Sequence, residues 1–190
     1  NEDSPLQPQS HYARLKVGFE EFLLGKTKDS PVAISILRFA TAYGLSPRMR
    51  FDLTVNHFTR DLALDRELLV FGQHQWRPYC HVADLASALT RTLTLPHSPK
   101  PEIFNIGDSQ ENYSKAMMVD ELLRQVPDGR VAYGNQADTD TRNYRVDFTK
   151  AAQQLGFQIT QRVPDGIDEI LKALKGNKIQ DPFSKTHENC

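Results

Sequence analysis

Val32-Ala33-Ile34-Ser35-Ile36-Leu37-Arg38-Phe39 is a nearly continuous apolar run, rich in β-branched residues, directly after Pro31. Such a run suits a strand buried on both faces, as in a parallel sheet. Upstream, Ser10 is placed to cap a helix. Leu15, Phe19, Phe22 and Leu23 form its apolar stripe, and Gly25 is a plausible stop. Helix followed by buried strand is half of a βαβ unit. The fold class expected is therefore α/β.

Within that first helix, Tyr12 and Lys16 lie four residues apart, so both side chains share one face. An unperturbed phenol titrates near pH ~10, too high to serve as a base at neutral pH. An ammonium one turn away favours the phenolate, the form that general acid–base catalysis uses. The same spacing also occurs on any solvated helix face, so the pair alone does not establish chemistry.

Downstream, residues 40–52 read as a loop broken by Gly44 and Pro47, with Arg48 and Arg50 in it. Helices are expected over 53–64, 83–95, 114–126, 149–156 and 165–175. Asp84, Ser114, Thr149 and Asp165 are placed as their opening residues. Strands are expected over 68–71, 76–82, 102–106, 130–133 and 144–148, with polar loops at 96–101 and 135–143. The tail 176–190 reads as polar and frayed.

The 190 residues carry a net charge of -1 and 39% hydrophobic residues. That composition supports a real core and gives no electrostatic case for nucleic acid or a membrane surface as partner. No apolar run approaches the ~20 residues that span a bilayer. Two cysteines, Cys80 and Cys190, offer neither a metal spacing nor a disulfide framework, which fits a cytoplasmic setting. Cys80 and His81 are adjacent on a strand and point to opposite faces, so no metal or nucleophile site is expected there. None of the ten glycines falls in a G-x-G-x-x-G cluster, the turn that cradles a dinucleotide's phosphates. Two parallel strands also make no stable doubly wound sheet. The expectation is that an N-terminal Rossmann half lies outside this chain.

Several motifs then follow in a fixed order. They are Tyr12-x-x-x-Lys16, Leu37-Arg38-Phe39-Ala40-Thr41-Ala42-Tyr43-Gly44 and Ser46-Pro47-Arg48-Met49-Arg50-Phe51-Asp52. Next come Trp76-Arg77-Pro78-Tyr79-Cys80-His81-Val82-Ala83-Asp84 and Phe104-Asn105-Ile106-Gly107. In this order they resemble the extended short-chain dehydrogenase/reductases, and more narrowly the NAD-dependent nucleotide-sugar epimerases and dehydratases. The resemblance covers roughly residues 1–175 and corresponds to the C-terminal half of such an enzyme. It implies the last part of a Rossmann-like doubly wound sheet plus a small α/β substrate-binding lobe. Residues 1–50 would end the dinucleotide-binding domain. Residues 51–175 would be mainly substrate lobe, with 83–107 returning to the sheet and 176–190 as tail.

The resemblance further implies roles. Tyr12 would exchange a proton with a sugar hydroxyl, and Lys16 would hold the nicotinamide ribose of NAD (or NADP). Phe39 would touch the cofactor. Thr41, where many members have Asn, would face the sugar, or else satisfy backbone at a strand end. Arg77 and Arg142 would bind the diphosphate; the alternatives are an ion pair with Asp84 and a solvated loop charge. Arg48 and Asn56 are further substrate candidates, while Arg50 pairs naturally with Asp52. A nucleotide-diphosphate sugar and a second copy of the chain are the partners implied. A keto-sugar reductase using NADP, or a non-catalytic remnant that binds nucleotide sugar, are the rival readings.

Overall fold

The computed structural model describes residues 1–25, 32–95, 100–134 and 142–188. Helix α1 spans His11–Gly25, and Ser10 caps it by accepting the Ala13 N–H at 3.1 Å. Strand β1 (Ser35–Phe39) pairs in parallel with β5 (Glu102–Ile106), in register from Ser35–Glu102 to Phe39–Ile106. Strand β2 (Thr41–Tyr43) follows after one residue. It pairs in parallel with β4 (Trp76–His81), which pairs antiparallel with β6 (Asn112–Ser114). A third parallel pair joins β3 (Leu68–Val70) to β7 (Val131–Tyr133). Helices α2 (Thr54–Ala63), α3 (Val82–Thr92), α4 (Lys115–Gln125), α5 (Thr149–Leu155) and α6 (Val163–Lys175) complete the α/β architecture.

Two cores meet at the β2–β4 ribbon, and strand alternation separates them. Tyr43 and Tyr79 project into a core with Phe58 and Leu62 of α2, Met118 and Leu122 of α4 and Ile167 of α6. Their neighbours Ala42 and Cys80 project the other way, towards Leu85, Phe104, Ile106, Ala151 and Phe157. One ribbon thus contributes side chains to both cores. Burial pushes the Cys80 thiol up to about 12, so it stays protonated in its apolar surroundings.

The main departures from the sequence reading are five, besides the short strand β6, which it did not expect. First, residues 40–52 were expected as loop but contain β2; the run Thr41–Tyr43 is too short for a periodic signal. Second, residues 144–148 form no strand. Their backbone is held by a side chain instead: Asn112 Oδ1 accepts the Val146 N–H (2.9 Å) and Asn112 Nδ2 donates to the Val146 carbonyl (3.0 Å). Third, β1 was expected to be buried on both faces but is only partly covered, and Phe39 is 45% exposed, because β5 is its single strand partner among the described residues.

Fourth, three helix openings differ. His81 Nδ1, not Asp84, caps α3 by accepting the Ala83 N–H. Asp147 accepts the Thr149 N–H at the start of α5. Asp165 sits inside α6 and reaches back to the Arg162 N–H. Fifth, the described part of the tail, residues 176–188, packs onto the molecule instead of fraying. Asn177 takes the left-handed conformation (φ 52°), with Lys178 N–H donating to the Ala173 carbonyl and Asn177 N–H to that of Leu174. This Schellman-type stop turns the chain back over the molecule. Most of the polar loop expected at 135–143 lies outside the described residues.

Candidate active site

The apolar stripe expected to bury α1 is open in this chain, since no residue of α1 is buried. Tyr12 is 68% exposed, and Leu15, Phe19 and Phe22 are exposed beside it. One ion pair fixes the helix against the sheet: Arg38 of β1 grips the Glu20 carboxylate through Nε (2.9 Å) and Nη2, and its Nη1 reaches the Glu2 carbonyl. Lys16 Nζ stands 5.4 Å from the centre of the Tyr12 ring. Among the described residues, no hydrogen bond occupies the Tyr12 hydroxyl or the Lys16 ammonium. The phenol and ammonium therefore face outward together, as donors and acceptor for an outside group.

The loop that carries Arg48 and Arg50 is tied by several side-chain hydrogen bonds. Arg50 binds Asp52 bidentately, Nε–Oδ1 at 2.7 Å and Nη2–Oδ2 at 2.6 Å. Its pKa is raised above the ordinary arginine value chiefly by that hydrogen bonding, with the charge of Asp52 and the Tyr12 phenol adding to it. Asn56, 3% exposed, closes the loop from inside. Its Oδ1 accepts the Gly44 N–H (3.0 Å) and its Nδ2 donates to the Arg50 carbonyl (3.1 Å). The Asn56 amide is thus committed to backbone. Arg48 is exposed and reaches the Glu188 carbonyl with Nη2 at 3.3 Å.

The loop's first residues are gripped by α6. Glu169 accepts the Leu45 N–H (3.0 Å) and the His81 Nε2–H (2.9 Å). Because His81 Nδ1 accepts from Ala83, the ring proton sits on Nε2, facing the carboxylate. Gly44 has φ 104°, and a Cβ there would overlap the His81 ring, so only glycine fits. A cleft of about 530 Å³ opens between this loop and the returning tail, with Leu45, Pro47, Met49, Ile179 and His187 in its walls.

A second cluster forms at the start of β4. Arg77, 8% exposed, donates from Nη1 to the Trp76 carbonyl (2.7 Å) and to the Arg142 carbonyl, and lies over the Tyr144 ring at 5.1 Å. Arg145 stacks on Trp76 at 4.4 Å. The fold therefore brings Arg77 and Arg142 together. Asp84 is engaged elsewhere, accepting the Thr160 N–H (3.0 Å), the Thr160 hydroxyl (2.7 Å) and the Gln161 N–H (3.1 Å). Thr41 starts β2 opposite Tyr79, and no hydrogen bond among the described residues engages its hydroxyl.

Sequence reasoning did not find three side chains that shape these groups. Glu169 sits 124 residues from Leu45, the residue it grips. Glu111, with a side chain only 1% exposed, accepts from Arg162 Nη1 (3.0 Å) and the Val163 N–H (2.9 Å). Burial raises its pKa despite those donors. Asn112 is the third. Such partners carry no local periodicity, and a buried acid in a polar stretch such as Ser109-Gln-Glu-Asn112 looks like surface.

Parallel strand pairs flanked by helices, with α1 leading into β1, place the chain in the α/β class. The chain belongs to the NAD dependent epimerase/dehydratase family, whose family model matches residues 1–107. An uncharacterized UDP-glucose epimerase of Bacillus subtilis is 27% identical over 171 residues, 88% of this chain and 52% of that protein. A dTDP-glucose 4,6-dehydratase of an Actinoplanes species is 25% identical over 181 residues, 93% of this chain and 55% of that one. Among solved structures, MoeE5 in complex with UDP-glucuronic acid and NAD superposes with a TM-score of 0.79 at 25% identity. That match covers 93% of this chain and 59% of MoeE5. The chain spans about half the length of the curated relatives it matches. Among the described residues no helix is long and apolar enough to cross a membrane, and no group of side chains is placed to hold a metal.

Proposed function

We propose that this chain supplies the proton-transfer and sugar-holding portion of an NAD-dependent nucleotide-sugar epimerase or dehydratase. The observation that carries the reading is the outward-facing Tyr12–Lys16 pair, 5.4 Å from ammonium to ring centre. The chemistry of that pair fits a nicotinamide ribose: an ammonium and a hydroxyl are suited to ribose hydroxyls. Phe39, exposed at the end of β1, offers an apolar surface beside a ring system. NAD, when bound, supplies the hydride acceptor.

In this reading, Tyr12 takes the proton from a sugar hydroxyl as the carbon beneath it is oxidised, and returns it later. Lys16 holds the ribose and stabilises the negative charge that develops on the phenol oxygen. Arg142 takes the diphosphate, where a guanidinium fork matches phosphate oxygens, and Arg77 acts from behind it by holding the Arg142 carbonyl. Thr41 contributes a hydroxyl towards the sugar. Arg48 and Asn56 act through the loop: Arg48 by charge, Asn56 by fixing the loop's shape. A second copy of the chain covers the exposed Leu15, Phe19 and Phe22 face. Without a glycine-rich phosphate turn, the 190 residues alone are expected to show no NAD-dependent turnover.

Keto-sugar reduction is a second reading, supported by a dTDP-4-dehydro-6-deoxyglucose reductase of Escherichia coli that is 23% identical over 180 residues. Calorimetric titration with UDP-glucose tests the binding part of the proposal. Arg142→Ala keeps the backbone carbonyl that Arg77 uses, so it removes only the side chain. Losing one charge-assisted contact is expected to weaken binding by about tenfold or more. Unchanged affinity would remove Arg142 from the site.

A further inference from the structure

The tail after α6 does more than end the chain. From Asn177 it folds back across the outside of the 45–52 loop. The Phe51 N–H donates to the His187 carbonyl at 2.9 Å, and the two rings meet edge to face at 5.5 Å. Arg48 reaches the Glu188 carbonyl. Ile179 packs against the small core of Met49, Phe51, Ile170 and Leu174.

A further attachment is Arg60 of α2, a residue 7% exposed. One aromatic neighbour is Phe51 of the loop, 5.2 Å away, and the other is Phe183 of the tail, 4.5 Å away. Its Nε binds Asp61 at 2.7 Å and its Nη1 reaches the Pro182 carbonyl at 3.4 Å. Arg66 lies over Phe183 as well, at 3.5 Å. A cation stripped of water is stabilised by aromatic faces, so Arg60 links tail and loop through one charge. The positive φ of Asp181 (41°) aids the bend that brings Phe183 in.

We propose that residues 177–188 are a strap that sets the shape of the 45–52 loop, and that Phe183 is its anchor. Phe183 is a positioning residue: it touches no candidate substrate group and acts through Arg60 and Phe51. The strap's effect on ligand rests on the reading of the Arg48–Arg50 loop as a substrate loop; its effect on the loop does not.

The test is amide hydrogen exchange by NMR on the full chain, without ligand, followed by UDP-glucose titration. In Phe183→Ala the Phe51 amide is expected to exchange about tenfold faster or more, while core amides such as Leu122 keep their protection. Phe183→Tyr, which keeps an aromatic face over Arg60, is expected to restore wild-type exchange. If Phe183→Ala does not fold, Phe183→Leu, which keeps volume and loses the π face, gives the same comparison. Wild-type exchange of residues 45–52 in the folded Ala or Leu variant overturns the strap. For the ligand arm, Phe183→Ala is expected to weaken UDP-glucose by about fivefold or more. Faster loop exchange with unchanged affinity upholds the strap as a tie on the loop and overturns its part in binding. Wild-type chain that binds no UDP-glucose at all overturns the substrate reading and leaves the exchange result standing.

Discussion

Replacing Asn56 with Ala removes both halves of the internal tie in the 44–52 loop at once. The Gly44 N–H is buried and its partner is the Asn56 Oδ1; the Arg50 carbonyl is partly buried and its partner is the Asn56 Nδ2. A buried polar group left without a partner costs roughly 1–3 kcal/mol. The Gly44 N–H meets that cost in full, because Gly44 is buried and its amide has no room to reach water. The Arg50 carbonyl, nearer the surface, recovers part of it by hydration. The expected loss is roughly 2–4 kcal/mol. For a chain of this size, 1 kcal/mol moves the midpoint by about 2–4 °C, so thermal unfolding should shift down by roughly 4–16 °C. Asn56→Asp adds a discriminating arm: it keeps an acceptor for Gly44 but sets a carboxylate against the Arg50 carbonyl, so it should also destabilise. Calorimetric or circular-dichroism melts measure both. A loss under about 0.5 kcal/mol for Asn56→Ala, the size of an ordinary surface change, would refute the tie.

Other outcomes follow from the same geometry. Gly44→Ala forces a side chain into the His81 ring at φ 104° and should yield little folded protein, as soluble expression and melts would show. Asp84→Ala leaves three donors of Thr160 and Gln161 without their acceptor, and should cost about 3 kcal/mol or more by urea unfolding. Asp61 carries a pH dependence. Burial alone would raise its pKa, but hydrogen bonds from His57 and Arg60 outweigh burial and hold it below the ordinary value. Its stabilisation is therefore complete above the unfolded aspartate pKa near ~4 and is lost as pH falls through the lower folded value. Asp61→Asn should accordingly lower the urea midpoint near neutral pH and lower it much less in strong acid. An equal difference at both would contradict the assignment.

The α/β class was legible in the apolar run that became β1 and in the regular spacing of helix and strand signals. So were the ends of β5, set by Glu102 and Gly107, and the Ser10 and Ser114 caps. Motif order carried the family, because five short motifs in sequence constrain far more than Tyr12-x-x-x-Lys16 alone. What escaped was non-local. Residues 144–148 alternate like a strand in sequence, but the Asn112 side chain takes the place of a strand partner for Val146. His81 caps α3 with a ring nitrogen, which the preference for short polar caps does not foresee. The tail reads as polar and loose because Phe183 and Ile179, its two anchors, are isolated among Lys, Gln, Asp and Ser. Their partners Arg60 and Met49 lie more than a hundred positions away. At the candidate site, Asn56 was visible as a polar residue at a helix start, but only the fold shows that its amide binds backbone.

The proton-transfer assignment is tested most directly by Tyr12→Phe in a polypeptide that joins this chain to a glycine-rich dinucleotide-binding half. NAD-dependent turnover of a UDP-sugar and its calorimetric affinity are measured side by side. A lost acid–base group is expected to lower turnover by about 10²–10⁴-fold, while affinity stays within about twofold. Tyr12→Phe enzyme that turns over at the wild-type rate would contradict the account.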